Sequence, residues 1–305
     1  MNCSSKGLDL QSATTTIPTT AMFWNIWGHR EPMRLAEYLQ QRLRSVDVFA
    51  LTEVTSAPLL AETWPLAYTH NNPKSSEPPA MMAGAQHLVE HVFTEDYAVK
   101  FAYPEKRDWE CVQTGTIYAD VAFGSVLAYR YDALEYVEDG HELIIDGNEY
   151  GVTPRVLQWL VFKRGSFTYL FCHLHGAWIA DNTKGDHPVR ERQSFEVLET
   201  IHSIVHSRGV DKVIFGGDLN LDINTDALKQ LEEGHPAFPG LELTNQVRRL
   251  GFENTRTPRY RKYGVPGESK HADHVLTGPG VVVDRMTIDN DAMASDHAPL
   301  VVKFH

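Results

Sequence analysis

A chain of 305 residues with 42% hydrophobic and 22% charged side chains has the composition of a globular protein, and enough length to bury a core without covalent staples. Its 40 acidic residues outweigh 28 basic ones for a formal charge of −12, which argues against a protein that grips long nucleic acid by bulk electrostatics. Cys3, Cys111 and Cys172 form no spaced framework, which excludes a disulfide scaffold and makes a cytoplasmic, reducing location the expectation.

Residues 1–20 are rich in Ser and Thr and lack an apolar core, so they read as a flexible N-terminal tail and not as a Sec signal. No apolar run approaches the roughly 18 residues of a membrane span. Met22 to Ile26 is a short apolar strand. Residues 31–45 place Met33, Leu35, Leu39 and Leu43 near helical spacing, with Pro32 in the first turn. Residues 46–54 read as a buried strand that reaches Glu53. Pro65, Pro73, Pro78 and Pro79 break up residues 65–90, an irregular stretch and a candidate substrate-specific insertion. Strand patterns follow at 123–130, 155–164 and 167–175, the last two joined into a hairpin by the turn at 163–166. Residues 190–209 form a helix with Phe195, Leu198, Ile201 and Val205 on one face and Gly209 as its stop. The next strand covers 211–220, short helices cover 225–233 and 244–250, and strands at 271–278, 280–288 and 295–304 close the chain. Helices interleave with strands that are often hairpin partners. That pattern predicts an α/β fold of two packed mixed sheets flanked by helices, and not a doubly wound parallel sheet.

Polar side chains recur where the apolar strands stop: Asn25, Glu53, His173, His175, Asp218, Asn220, Asp273, Asp296 and His297. Strand ends are where sheet proteins assemble sites from distant sequence. In "GGDLN" (216–220), Asp218 and Asn220 are two apart, so an extended chain turns both to one side. Gly, Asp and Asn are also ordinary turn residues, but so many such positions favour a shared site. Carboxylates with amides and imidazoles suit phosphoester hydrolysis, in which a hard cation and fixed donors offset the anionic oxygens that repel a nucleophile. Glu53 suits Mg²⁺ or Mn²⁺, and Asn25, Asp218 and Asp296 are placed to complete or brace that shell. No cofactor beyond the metal is expected. A serine hydrolase would need a nucleophile elbow, which "FGSVL" (123–127) is not. A structural zinc site would need a second pair beside "CHLH" (172–175).

The segments "WNI" (24–26), "LTEV" (51–54), "FGSVLAYR" (123–130), "CHLH", "GDLN" (217–220), "ADHVL" (272–276) and "SDH" (295–297) together resemble the endonuclease/exonuclease/phosphatase superfamily. That group includes DNase I, apurinic endonucleases, deadenylases, neutral sphingomyelinases and inositol-polyphosphate phosphatases. The resemblance spans about residues 21–304 and implies one domain over 21–305. Its fold would be the DNase I-like four-layer α/β sandwich, two mixed sheets face to face with helices outside and the site along one sheet edge. The resemblance also implies roles. Asp218 orients or deprotonates the attacking water, and Asn220 and Asn25 hold the phosphate. His297 donates to a phosphoryl oxygen with Asp273 as its orienting partner, and His173 acts from the opposite side. "CHLH" adds His175, and the assignment between the two histidines stays open. Thr52 stands where many members carry Gln. The run "HLHGAW…VRERQ" (173–193) also resembles 5′-tyrosyl-DNA phosphodiesterases, and residues 55–118 match nothing in the pattern.

Residues 254–264, "NTRTPRYRKYG", interleave Arg256, Arg259, Arg261 and Lys262 with Tyr260 and Tyr263. Such a segment binds phosphate and stacks a base or headgroup, or else forms a solvated basic loop. Arg155, His175, Arg259 and Tyr260 are the candidate substrate contacts. The expected function is a Mg²⁺- or Mn²⁺-dependent phosphodiester hydrolase, monomeric, acting on nucleic acid or a nucleotide. The alternatives are a phospholipid or inositol-phosphate hydrolase of the same fold, and an inactive binding scaffold.

Overall fold

The structure, a computed structural model, describes residues 17–26, 32–56, 85–110, 117–147, 151–179, 184–260 and 268–305. Cys3, Cys111, residues 65–84 of the irregular stretch, and Arg261, Lys262 and Tyr263 lie outside the described residues.

Alternating apolar side chains build the first sheet. β1 (Thr19–Asn25) sends Ala21 and Phe23 to one face and Met22 and Trp24 to the other. β2 (Val48–Ser56) pairs with it in parallel and does the same with Val48 and Ala50 against Phe49 and Leu51. β3 (Tyr97–Glu110), β4 (Ile117–Arg130), β11 (Val283–Ile288) and β12 (Leu300–Phe304) add antiparallel pairings, giving the order β11-β12-β1-β2-β4-β3. Thr19 pairs with Phe304 and Thr20 with Lys303. The last two residues assigned to the tail therefore belong to the sheet, because β12 offers their backbone a ladder that the Ser/Thr composition does not reveal.

The second sheet contains β5 (Glu135–Ile145), β6 (Arg155–Arg164), β7 (Phe167–Leu174), β8 (Lys212–Asp218), β9 (Thr244–Asn245) and β10 (Asp273–Thr277) in the order β5-β6-β7-β8-β10-β9. Only β7 and β8 run parallel within it. The expected β6–β7 hairpin turns at Gly165, whose φ of 63° suits glycine. Residues 244–245, expected in a helix, form β9; Asn245 then caps the short helix behind it through Oδ1 to the Val247 and Arg248 amides.

The sheets pack through Phe23, Val48, Leu160, Phe162, Phe171, Ile214, Val275 and Phe304, with Phe23 and Phe171 stacked at 4.9 Å. Helices α1 (Pro32–Arg42) and α2 (Ala85–Val92) cover the first sheet through Leu35, Leu39, Val89 and Val92. Helices α3 (Pro188–Arg208) and α4 (Asp226–Glu233) cover the second through Val197, Leu198, Ile201, Leu228 and Leu231. α3 stops where Gly209 turns left-handed, as its sequence requires. The layers are helix, sheet, sheet, helix: the expected α/β sandwich. Among the described residues no helix is long and apolar enough to cross a membrane.

Strand direction decides where the polar ends go. β1 and β2 run parallel, as do β7 and β8, and β12 meets β1 with Leu300 opposite Phe23. β10 begins with Asp273 opposite Asp218, the last residue of β8, and Leu157 near the start of β6 lies opposite Leu174. The ends of seven strands thus converge on one edge of the sandwich.

Candidate active site

β8 is buried to its end at Asp218. Gly217 holds φ 125°, and a Cβ there would lie 2.4 Å from the Leu174 carbonyl, so glycine lets β8 close onto β7. Asn220 then turns left-handed at φ 54°. Its amide donates to Asp218 Oδ1 at 3.0 Å, and its Nδ2 donates to the Gly176 carbonyl at 3.0 Å. Lys184 Nζ donates to Asn220 Oδ1. A side-chain-supported turn, and not strand alternation, therefore joins Asp218 to Asn220.

Alternation along β2 would send Glu53 out with Phe49 and Leu51 toward the helices. The register against β4 shifts between Thr52 and Val54, and Glu53 sits in this bulge at φ 58°. Val54 returns to the helix side, while Glu53 Oε1 lies 3.7 Å from His175 Nε2. Among the described residues, the non-glycine positions with positive φ are Glu53 and Asn220. Each such conformation costs on the order of 1–3 kcal/mol, and both fall in this site.

His297 precedes β12 in a loop, where it was expected to open the strand. Trp24 Nε1 donates to its carbonyl at 2.9 Å, and its amide donates to Ser295 Oγ at 3.1 Å. Its Nδ1 lies 2.8 Å from Asp273 Oδ2, and its Nε2 lies 3.5 Å from Asp218 Oδ2. Burial and Arg256 push the His297 imidazolium down, yet Asp273, Asp218 and Asp296 together raise its pKa. Asp218 shifts the other way. Burial favours its neutral acid, but His297, Lys184, His175 and Arg256 hold it ionised well below the usual carboxylate range. Asn25 Nδ2 donates to Asp218 Oδ2 at 2.9 Å.

The two histidines of "CHLH" have separate surroundings. β7 ends at Leu174, so His175 leaves the strand's alternation. Its Nε2 lies 3.7 Å from both Glu53 Oε1 and Asp218 Oδ2, and its Nδ1 lies 3.3 Å from Arg155 Nη1. A guanidinium only donates, so that contact makes Nδ1 the acceptor and leaves the proton on Nε2, facing the carboxylates. Burial first, then Arg155, keeps the His175 pKa well below the ordinary value. His173 remains in the strand and points between the sheets. There its Nε2 meets Gln158 Oε1 at 2.9 Å, and Gln158 Nε2 reaches the Lys100 carbonyl at 2.9 Å. Burial pushes the His173 pKa down to about 3. Of the two histidines between which the sequence leaves the assignment open, His175 lies beside the acids and His173 braces one sheet against the other.

Glu53, His175 and Asp218 offer ligand atoms within 4.8 Å of one another, as do Asp218, Asp273 and His297. The second group is already joined by the His297–Asp273 hydrogen bond, so the candidate metal site lies at the carboxylates of the first, Glu53 and Asp218, which the His175 Nε2–H faces. Asp296 Oδ1 is buried with no hydrogen-bond partner among the described residues and lies 3.9 Å from His297 Nε2. An orphaned carboxylate oxygen is an acceptor in want of a cation or donor, so these residues fit a divalent metal. Two cations here were absent from the candidate set. Buried Arg256 contacts His297 Nε2, and Lys184 holds Asn220. Arg256 stacks over Tyr260, its Cζ 4.6 Å from the ring centroid, and Arg259 is half-buried.

A family model described as the Endonuclease/Exonuclease/phosphatase family matches residues 22–297. A search of curated protein sequences finds no match. Several solved structures share the fold. An endonuclease/exonuclease/phosphatase family protein from Bacteroides thetaiotaomicron is 16% identical at a TM-score of 0.60, over 95% of this chain and 98% of that one. One from Beutenbergia cavernae is 18% identical at 0.62, over 94% and 71%. Truncated TDP2 from Caenorhabditis elegans is 14% identical at 0.58, over 94% and 97%. At these identities the likeness concerns the fold alone.

Proposed function

The chain belongs to the Endonuclease/Exonuclease/phosphatase family, whose members hydrolyse phosphoester bonds, and on that premise we propose that it is a divalent-metal-dependent phosphodiester hydrolase acting on nucleic acid or a nucleotide. The observation that carries the proposal is the convergence of Glu53, His175, Asp218 and the Asp273–His297 pair at one edge. Glu53, Asp218 and Asp296 would hold Mg²⁺ or Mn²⁺, which when bound offsets negative charge on the phosphoryl group.

The chain's own groups divide the remaining work. Asn25 Nδ2 and the Asn220 amide donate to the two oxygens of Asp218 and fix its carboxylate plane. That carboxylate, held ionised, accepts a hydrogen from the attacking water and aims it. Its low pKa suits orientation better than keeping the proton. His297, held by Asp273, directs Nε2 to a phosphoryl oxygen, and His175 presents Nε2–H from the Glu53 side. His173 is assigned no contact with substrate.

Arg155 and Lys184 supply positive charge around these groups, and the segment of Arg259 and Tyr260 adds a cation and an aromatic face, which favours a nucleotide over a simple headgroup. The test is a substrate panel with Mg²⁺ and Mn²⁺: bis-p-nitrophenyl phosphate, DNA, RNA, a 5′-phosphotyrosyl oligonucleotide, sphingomyelin and inositol phosphates. Turnover of the nitrophenyl ester and an oligonucleotide, abolished by excess chelator, is expected. Cleavage of sphingomyelin or inositol phosphates with oligonucleotides left intact would reverse the substrate assignment. Full activity in chelator would remove the metal from the mechanism.

A further inference from the structure

Arg256 has an unusual position for a buried cation. Its backbone is pinned on both sides, with its amide donating to Asn254 Oδ1 at 2.8 Å and its carbonyl accepting from Asn290 Nδ2 at 2.8 Å. It also forms an isolated bridge with His297. The side chain is 3% exposed, stacks on Tyr260, and donates from Nη1 to His297 Nε2. Among the described residues its buried Nε has no hydrogen-bond partner. A guanidinium carries five donors in a planar fork that matches two oxygens of a phosphate or carboxylate. Here the fork is spent on one imidazole nitrogen, within the field of Asp273, Asp296 and Asp218.

The contact with His297 is incompatible with the role of that ring. Arginine cannot accept a hydrogen bond, so this contact requires a lone pair on His297 Nε2 and a neutral ring whose Nδ1–H donates to Asp273, although the surrounding carboxylates favour the imidazolium, which has no lone pair to offer. A His297 that donates to a phosphoryl oxygen needs its hydrogen on Nε2. The free and the substrate-engaged arrangements therefore exclude each other at one atom. An oxygen arriving between the two groups resolves the conflict by accepting from both.

We propose that Arg256 is a ligand for a phosphoryl oxygen of the substrate, held on His297 Nε2 until the phosphate arrives. This rests on the reading of the site as a phosphoester hydrolase, and it adds a second, fork-shaped donor beside His297. The unpartnered Nε is a further donor of the same guanidinium, on the edge it shares with Nη2, so a phosphate can be held by more than the Nη1 contact alone.

The experiment measures inorganic phosphate binding by titration calorimetry on the full chain, for the wild type, Arg256→Met and Arg256→Lys. It is paired with kcat and KM on bis-p-nitrophenyl phosphate, and with added guanidinium. Arg256→Met should weaken phosphate binding roughly 10- to 100-fold, the usual worth of a hydrogen bond to a charged group. Arg256→Lys should fall between, keeping charge but losing the fork. Guanidinium at millimolar concentration should restore part of the turnover of Arg256→Met, which a merely structural role would not allow. Matched circular dichroism spectra confirm folding, and Arg256→Lys serves if Arg256→Met does not fold. Phosphate affinity unchanged in the variants, or no phosphate binding by the wild type, overturns the proposal. A wild type that binds phosphate through Arg256 yet turns over no ester sinks the hydrolase reading and leaves the ligand assignment standing.

Discussion

Asp273 Oδ2 holds His297 Nδ1 at 2.8 Å and is itself supported by Thr255 Oγ1 at 3.3 Å. A donor fixed in this way acts on charge that grows in the transition state, so His297→Ala should lower kcat by about 10²–10³-fold with little change in substrate affinity. Asp273→Asn should reproduce most of that loss, because an amide supports imidazolium poorly. The double variant should be little worse than His297→Ala, since both changes disable one unit; fully multiplicative losses would show that the two act separately. Lys184 gives a pH signature. Burial, partly opposed by Asp218, lowers its pKa to about 8. Its charge is present below that value and lost above it, so kcat/KM should decline as pH passes about 8. Lys184→Arg should move that decline upward, and an unmoved limb would assign it to another group. Stability should run oppositely. Between about 8 and the unfolded value of 10.5 the unfolded chain binds the extra proton, so stability rises with pH across that window.

Two backbone devices place the acids. The bulge at Glu53 inverts the strand's facing, and the close approach of β8 to β7 at Gly217 lets Asp218 end against Gly176, whose amide donates to the Asp218 carbonyl at 2.7 Å. Gly217→Ala meets both a forbidden φ and a backbone oxygen. It should cost at least about 1–3 kcal/mol, read as a lower urea midpoint at constant m. Glu53→Gly sets strain against function. Glycine relieves the φ of 58°, so the metal-free protein should lose little stability. The rise in Tm that Mn²⁺ produces in the wild type should vanish, because a ligand stabilises only the state that binds it. A preserved metal-induced shift would remove Glu53 from the metal shell. The edge strand β5 shows another use of an element: its residues 135–137 and 141–143 are exposed, and the charged Glu135 and Glu142 among them discourage pairing with other chains.

Charge matters differently for the whole molecule. At −12 overall, the protein gains no long-range pull toward nucleic acid, and binding must rest on the few cations gathered at the edge. With Arg155, Lys184, Arg256 and Arg259 as those cations, log K for a short single strand should fall with log salt at a slope no steeper than about −3, at roughly 0.7 per neutralised phosphate. A steeper slope would locate a second basic surface. The cluster between the sheets draws on both ends of the chain, from Ala21 and Phe23 to Val302 and Phe304. Site and core therefore need the same strands in place.

Periodicity is local, so it was readable in the chain alone. The strands at β1, β2, β6, β7, β8 and β10 and the helix ending at Gly209 follow from side-chain alternation and from turn and cap residues, and the polar residues that end those strands mark the edge where the site forms. Elements without that contrast escaped: α2 and β3 lie where no motif was found, and β5 is too polar to read as a strand. What a site side chain does depends on neighbours far away in sequence, and tertiary structure alone decided it. Asn25 reaches Asp218 across 193 positions, and Arg256 reaches His297 across 41. Arg256 was one charge in a basic run, and Lys184 carried no signal at all. Only the end of β7 at Leu174 separates His175 from His173, and only a one-residue bulge turns Glu53 from the helices to the acids. Alternation specifies which face a side chain takes while the strand lasts; where the strand bulges or stops, the packing of the two sheets determines it.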